Sequence, residues 1–289
     1  MAGVIQSAYS FVIVEASICW KLLKSNIDGA FLPFPIFTMA SLLHIGAQWH
    51  EIIVRLVYTL VYAFFYQYIF ELTNQTARPA HRLEDEINKP DRPLVTHSMT
   101  LRSAKTRYYA GLVMWLAYSY ILGTLSWTIL WLVTIFSSWK YSIGLSDFGP
   151  TKDLSISIGL IAQLMAAWHI GGSNPLVAWH WVKILFMWMY PTIGIQDIRD
   201  VPGDKVVGRR TTVILLGDIP GLYIYIFQWV LVCRNDGYTI TVSAAIAVLT
   251  FGTVFRLFMW RSIESDKRTY RYYMGLYLLN LLAVGVCMR

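Results

Sequence analysis

Apolar stretches close to the roughly 20 residues that a helix needs to cross a bilayer recur along this chain from end to end. About nine can be delimited: 27–46, 51–73, 107–123, 124–139, 154–171, 176–194, 213–233, 238–258 and 272–288. The third and fourth are short and nearly continuous, and Asp218 and Pro220 interrupt the seventh. A water-soluble core does not absorb this much apolar length: 56% of the residues are hydrophobic and the mean hydropathy is +0.49. In lipid each segment must satisfy its own backbone polar groups. The expected fold is therefore an all-α integral membrane protein, a bundle of about nine transmembrane helices. Residues 1–26 lack a basic first segment, and Glu15 interrupts "YSFVIVEASICW". An interfacial helix is expected there rather than a cleavable signal. No shift in composition divides the chain, so 1–289 is taken as a single domain.

The net charge of +7 is distributed by topology. With nine spans, one side carries residues 1–26 and the loops near 74–106, 140–153, 195–212 and 259–271. With Arg107 at its margin, that side holds 19 of the 24 Lys and Arg residues, a bias that marks a cytosolic face. The opposite loops, such as "GGSNP" and "CRNDG", are short and nearly neutral. A nucleic-acid surface is thereby excluded as the reason for the basic balance. Cys19, Cys233 and Cys287 show no metal-ligand spacing and are expected as small core hydrophobes.

Against a chain only 14% charged, two cytosolic segments stand out. "EDEINKPDRP" (84–93) follows the second span, and "QDIRDVPGDKVVGRRTT" (196–212) follows the sixth. The latter holds Asp197, Asp200 and Asp204 at offsets of three and seven, one face of a continuous helix. Pro202 and Gly203 are expected to end that helix first, leaving Asp204 on the following turn. Acids at a helix's last turn oppose its dipole by several tenths of a kcal/mol each, and they repel one another. A bound cation relieves both, and carboxylate oxygens without a His/Cys cluster favour magnesium over zinc. The plain alternative is a solvated loop in which acids pair with Arg199, Lys205, Arg209 and Arg210. Two such loops on one side instead suit magnesium held by acids while bases hold the same diphosphate. In the first cluster the oxygen donors are Asn74, Gln75, Glu84, Asp85 and Asn88, and the cations are Arg78, Arg82, Lys89 and Arg92. Asn74, Arg78, His81, Asp85 and Asn88 would form one stripe on an unbroken helix, which Pro79 interrupts. His81 is expected to be solvated or hydrogen-bonded rather than a ligand.

These loops, separated by four spans, resemble those of the UbiA superfamily of intramembrane prenyltransferases. "DIRDVPGD" followed by "GRRTT" is similar to its second aspartate-rich motif, and "INKPDRP" to the tail of its first. Lys140 in "SSWKYS" resembles the superfamily's lysine beyond the fourth span. The front of the first motif departs from the transferase pattern N-D-x-x-D-x-x-x-D. Anchored at Asn74, Gln75, Arg78 and Arg82 stand at the aspartate positions. Anchored at Arg92-Pro93, Asp85 takes the last of them and His81 the one before. This form resembles the fungal terpene cyclases of the superfamily.

The resemblance implies a helix bundle around a central cavity with a polar cap on the cytosolic side. It also implies a class I-type terpene cyclase that ionises farnesyl or geranylgeranyl diphosphate with Mg2+ and cyclises the cation. Asp85, Asp197, Asp200 and Asp204 are then the catalytic acids, with Asn74, Glu84 and Asn88 as further metal ligands. Arg92, Lys140, Lys205 and Arg209 would clamp the diphosphate. Whether the first cluster holds metal through Asn74 and Asp85 or through Glu84 and Asp85 stays open. The alternative is a prenyltransferase using an aromatic or lipid acceptor. A transporter or receptor would place charges along a route within the spans; Arg55, Asp218, Lys183 and Arg256 are too few for one. The expected membrane is the endoplasmic reticulum. The chain has 12 Trp, 18 Tyr and 14 Phe, and aromatic faces stabilise a passing cation. "WHIGGSNPLVAWHW", with His169 and His180, is expected as an interfacial belt on the far side.

Overall fold

The structure is a computed structural model that describes residues 2–140, 144–217 and 240–287. It is helical throughout, and among the described residues the sole β-feature is an isolated bridge between Phe148 and Arg210. Helix α1 (Ala2–Leu23) precedes a π-helical turn (Ile27–Phe31) that leads into α2 (Pro33–His44). Then come α3 (Trp49–Thr76), α4 (Pro79–Asn88), α5 (Leu101–Ile121) and α6 (Leu125–Ile135), the last extended by a π-turn, Phe136–Lys140. After a 3-10 turn (Leu145–Asp147) follow α7 (Gly149–Gly171) and α8 (Pro175–Met189). A 3-10 helix (Ile193–Asp200) runs into α9 (Val201–Val206), followed by α10 (Thr212–Leu216), α11 (Ile240–Met259) and α12 (Ile263–Cys287).

Helix boundaries follow local chemistry. Gln48 and Glu51 close a capping box at the start of α3. Asn174 caps α8 by accepting from the Leu176 amide, with Pro175 at the first helical position. Gly172, at φ 86°, ends α7 in the left-handed conformation that glycine adopts without steric cost. Among the described residues, four segments are long and apolar enough to cross a bilayer: Ile27–His44, Trp49–Thr76, Gly149–Gly171 and Thr241–Met259. The seventh apolar run begins in α10, but its stretch 218–233, with Asp218, Pro220 and Cys233, lies outside the described residues. The segment expected at the interface forms α1, which leaves Tyr9, Val12 and Trp20 exposed and is tied to α5 by a Glu15–Arg107 ion pair.

Helix α7 is the axis of the packing, touching α2, α6 and α8. Its second half is enclosed: Leu164, Ala166, Ala167 and Trp168 have almost no exposed surface. Gly159 is needed where α6 crosses, because a Cβ there would drive into the Trp131 ring. The first half of α7 buries polar side chains instead, Lys152, Asp153, Ser155 and Ser157. Of these, Lys152 lines the cavity described next. On the outside, Val57, Val113, Val248 and Phe255 remain exposed, as expected of a surface that a bilayer covers.

Candidate active site

The first charged segment is not a continuation of α3. Arg78 is extended (φ −142°, ψ 149°), and Pro79 opens α4 at a position where no backbone donor is needed. The stripe from Asn74 to Asn88 is thus split, and α4 packs against α9. The second segment departs from expectation in the opposite sense. Pro202 lies in the first turn of α9 and does not end the helical path, so Asp204 sits within α9, fully buried.

The two segments meet directly. Asn88 donates from Nδ2 to the Asp200 carbonyl at 2.9 Å and accepts from the Gly203 amide at 3.1 Å. Gly203 permits this approach, since a Cβ would collide with the Asn88 amide. Arg209 donates to Glu84 of the first segment and, at 3.2 Å, to Asp204 of the second. Lys89 lies 3.7 Å from Asp200.

Beneath this junction is a cavity with a charged mouth and an aromatic floor. Its mouth includes Asn74, Glu84, Lys152, Asp197, Asp200 and Arg209. The floor is built by Tyr66, Phe70, Trp131 and Trp139. Tyr66 stacks on Trp131 with centroids 5.0 Å apart, and Trp139 meets Phe70 edge-on at 5.3 Å. The Tyr66 hydroxyl is satisfied by the Gly159 carbonyl at 3.0 Å. Such a floor offers ring faces to a positive charge.

Behind Arg209, and not itself on the cavity lining, Asp204 is buried, which pushes its carboxyl up to about 6. Burial raises Asp197 as well, against the opposing charge of Lys152, whose Nζ donates to Oδ1 at 2.5 Å. For Asp200 burial is outweighed by Lys89 and Arg199, which hold the carboxyl below its usual range. Oδ2 of Asp197 and Oδ2 of Asp204 are buried without a hydrogen-bond partner. Unpaired buried carboxylate oxygens are costly unless a cation meets them. Among the described residues no three His, Cys, Asp or Glu side chains form a preassembled metal cage. Mg2+ does not require one, because it is commonly held by one or two carboxylates plus substrate phosphates. The residues present fit that mode.

Several expected ligands are occupied elsewhere. Asp85 receives Arg92 Nη1 on both oxygens, at 2.7 and 2.8 Å, and Arg92 Nη2 donates to Glu71 at 2.8 Å. All three are buried, so Arg92 braces the cap instead of facing the cavity. Asn88 spends its amide on the backbone of the second segment. Lys140 lies 3.8 Å over the Tyr108 ring, away from the cavity wall, and Lys205 is exposed on α9. His81 is hydrogen-bonded as expected, Nδ1 to the Asn74 carbonyl at 2.8 Å. Conversely, Lys152 and Arg199 line the mouth and Glu71 anchors Arg92, roles that sequence reasoning did not assign. Glu71 had a signal: an acid inside an apolar run demands a buried partner. Lys152 had a weaker one, a lysine beside Asp153 at the entrance to a span.

The chain matches the UbiA prenyltransferase family over residues 34–281. It belongs to that family. Among characterised relatives it is 28% identical to somaliensene A/B synthase of Streptomyces somaliensis, an alignment spanning 93% of this chain and 92% of the relative. It is 29% identical to diterpene cyclase eriG of Hericium erinaceus, over 75% of this chain and 71% of that one. Polyprenyl transferase eriF of the same fungus is 27% identical, over 86% and 81%. The resemblance to UbiA-type terpene cyclases is thus borne out. The fold matches a UbiA homolog from Aeropyrum pernix K1 with a TM-score of 0.63 at 16% identity, covering 90% of this chain and 97% of that one. It also matches a homolog from Archaeoglobus fulgidus bound to DMAPP and Mg2+, with a TM-score of 0.59 at 15% identity, over 93% and 99%.

Proposed function

We propose that this UbiA-family protein is a membrane-bound terpene cyclase that ionises a linear prenyl diphosphate, farnesyl or geranylgeranyl, and cyclises the resulting cation with release of diphosphate. The single observation that carries the proposal is the convergence of Glu84 and Asp204, 120 positions apart, on Arg209 above an aromatic-floored cavity. In this reading the bundle has about nine spans within one domain, and its polar cap faces the cytosol from the endoplasmic reticulum membrane.

Asp197, Asp200 and Asp204 would hold Mg2+, with Asn74 and Glu84 at the same mouth. When bound, Mg2+ neutralises charge on the leaving oxygens as a Lewis acid. The donors of the chain act at the same place. Lys152, Arg209, Lys89 and Arg199 surround the mouth, where they can bind the diphosphate and stabilise it as the carbon–oxygen bond breaks and its electron pair moves to oxygen. Each well-placed donor is worth about 3 kcal/mol of barrier. Tyr66, Phe70 and Trp131 enclose the prenyl chain, exclude water and present π faces to the cation.

The likeness to eriF favours a second reading, transfer of the prenyl group to an aromatic or lipid acceptor. Membranes containing the protein, supplied with farnesyl or geranylgeranyl diphosphate and Mg2+ alone, are expected to release a cyclic hydrocarbon detectable by gas chromatography. A product that appears only after an acceptor is added would decide for the transferase. In the same assay Lys152→Met is expected to lower the rate by about 100-fold or more. Lys140→Met, altering a lysine that lies over Tyr108, is expected to have much the smaller effect. The reverse order would return Lys140 to the site.

A further inference from the structure

A second cavity lies behind the mouth of the first, and the two share Lys89, Arg199, Asp200 and Tyr270 as a wall. It offers about 330 Å³ of space. Its outer side is formed by Lys21 and Lys24 at the end of α1 and by Lys267 and Arg271 at the start of α12. Seven cations line it against three carboxylates. Of these, Arg92 is neutralised by Asp85 and Glu71, and Lys24 pairs with Asp91. Among the described residues, Lys21, Lys267 and Arg271 make no ion pair within 4.0 Å; the remaining lining carboxylate, Asp28, lies within the field of both Arg199 and Arg271. The chamber therefore keeps an unbalanced positive charge in a concave site, the arrangement that concentrates small anions.

The shared wall is loosely held. Lys89 and Asp200 are 3.7 Å apart, beyond hydrogen-bonding distance, and Arg199 approaches Asp200 at 3.6 Å. The Arg199 guanidinium lies 4.0 Å over the Tyr270 ring, and its Nε has no hydrogen-bond partner. A guanidinium so placed, reachable from both chambers, can exchange a weak carboxylate contact for a phosphate oxygen.

We infer that the second cavity is a phosphate-anion site that receives diphosphate from the catalytic mouth across the Lys89–Asp200–Arg199 wall. The inference rests on the prenyl diphosphate reading for the origin of the anion, and on the lining alone for its binding. The two chambers differ in a way that separates them experimentally. The mouth carries carboxylate oxygens without donors and needs a divalent cation before it accepts a diphosphate. The second chamber has surplus cations and needs none.

The test is titration of the purified full-length protein with inorganic diphosphate in EDTA, by calorimetry in phosphatidylcholine nanodiscs. One metal-independent site is expected. Lys267→Gln combined with Arg271→Gln should weaken it by about tenfold or more, while Asp197→Asn, made with Lys152→Met so that no buried lysine is stranded, leaves it in place. No metal-independent binding, or loss with Asp197→Asn, Lys152→Met but not with the paired glutamines, overturns the inference. Nanodiscs containing phosphatidic acid distinguish a lipid source of the phosphate. Retention of phosphatidic acid that the glutamine pair abolishes, with no binding of free diphosphate in phosphatidylcholine, would assign the pocket to a headgroup and overturn the transfer role. A protein that binds diphosphate in EDTA yet forms no hydrocarbon would instead sink the cyclase reading and leave the site standing.

Discussion

Replacing Asp197 and Asp200 together by asparagine should abolish product formation, with a loss of at least about 100-fold. Asp197 has no exposed surface, one oxygen on Lys152 and the other without a partner. Asparagine keeps the shape and removes the charge on which both the metal and the lysine depend. The same change leaves Lys152 buried beside a neutral amide, at a cost of about 3–5 kcal/mol when one partner of a buried pair is lost. Activity must therefore be separated from folding. Adding Lys152→Met to Asp197→Asn should restore much of the melting temperature and none of the turnover. Product at near-normal yield from a well-folded Asp197→Asn, Asp200→Asn protein would remove the magnesium model altogether.

Arg92→Met is expected to act through stability. Its guanidinium bridges Asp85 and Glu71 in a site with almost no solvent. Burial opposes its charge, but Asp85 and Glu71 outweigh burial and raise its pKa above the ordinary arginine value. Removing it strands two carboxylates, again a cost of about 3–5 kcal/mol. The melting temperature in detergent should fall, and KM for prenyl diphosphate should be little changed in the protein that remains folded. Neutralising the partners as well, Glu71→Gln and Asp85→Asn, should recover most of the loss. A variant with wild-type melting and a KM raised tenfold would mean that Arg92 grips the substrate after all.

The contrast between Arg92 and Lys152 shows where sequence reasoning loses its grip. Both were visible as bases on the cytosolic side. Arg92 stood in a recognisable Pro-flanked context and looked like a clamp, yet Glu71, 21 positions earlier, holds it away from the cavity. Lys152 is in sequence just one of the basic residues of the 140–153 loop, yet the first turn of α7 aims it at Asp197, 45 positions later. In both cases the role is set by a partner on another helix. Pro202 teaches the same lesson locally. Proline excludes helix interiors but suits first turns, and which applies depended on where the 3-10 helix passes into α9, between Asp200 and Val201.

The helical class, the positions of the apolar segments within the described residues and the two acidic clusters all follow from composition and short-range pattern. Hydrophobic length and charge placement act on each segment separately, so they are legible one segment at a time. The folding of α4 onto α9, the sharing of Arg209 by Glu84 and Asp204, and the diversion of Arg92 and Asn88 into bracing are contacts between remote parts of the chain. Their energies come from desolvated charge meeting charge across helices, and no spacing in a linear sequence records which carboxylate a given arginine reaches first.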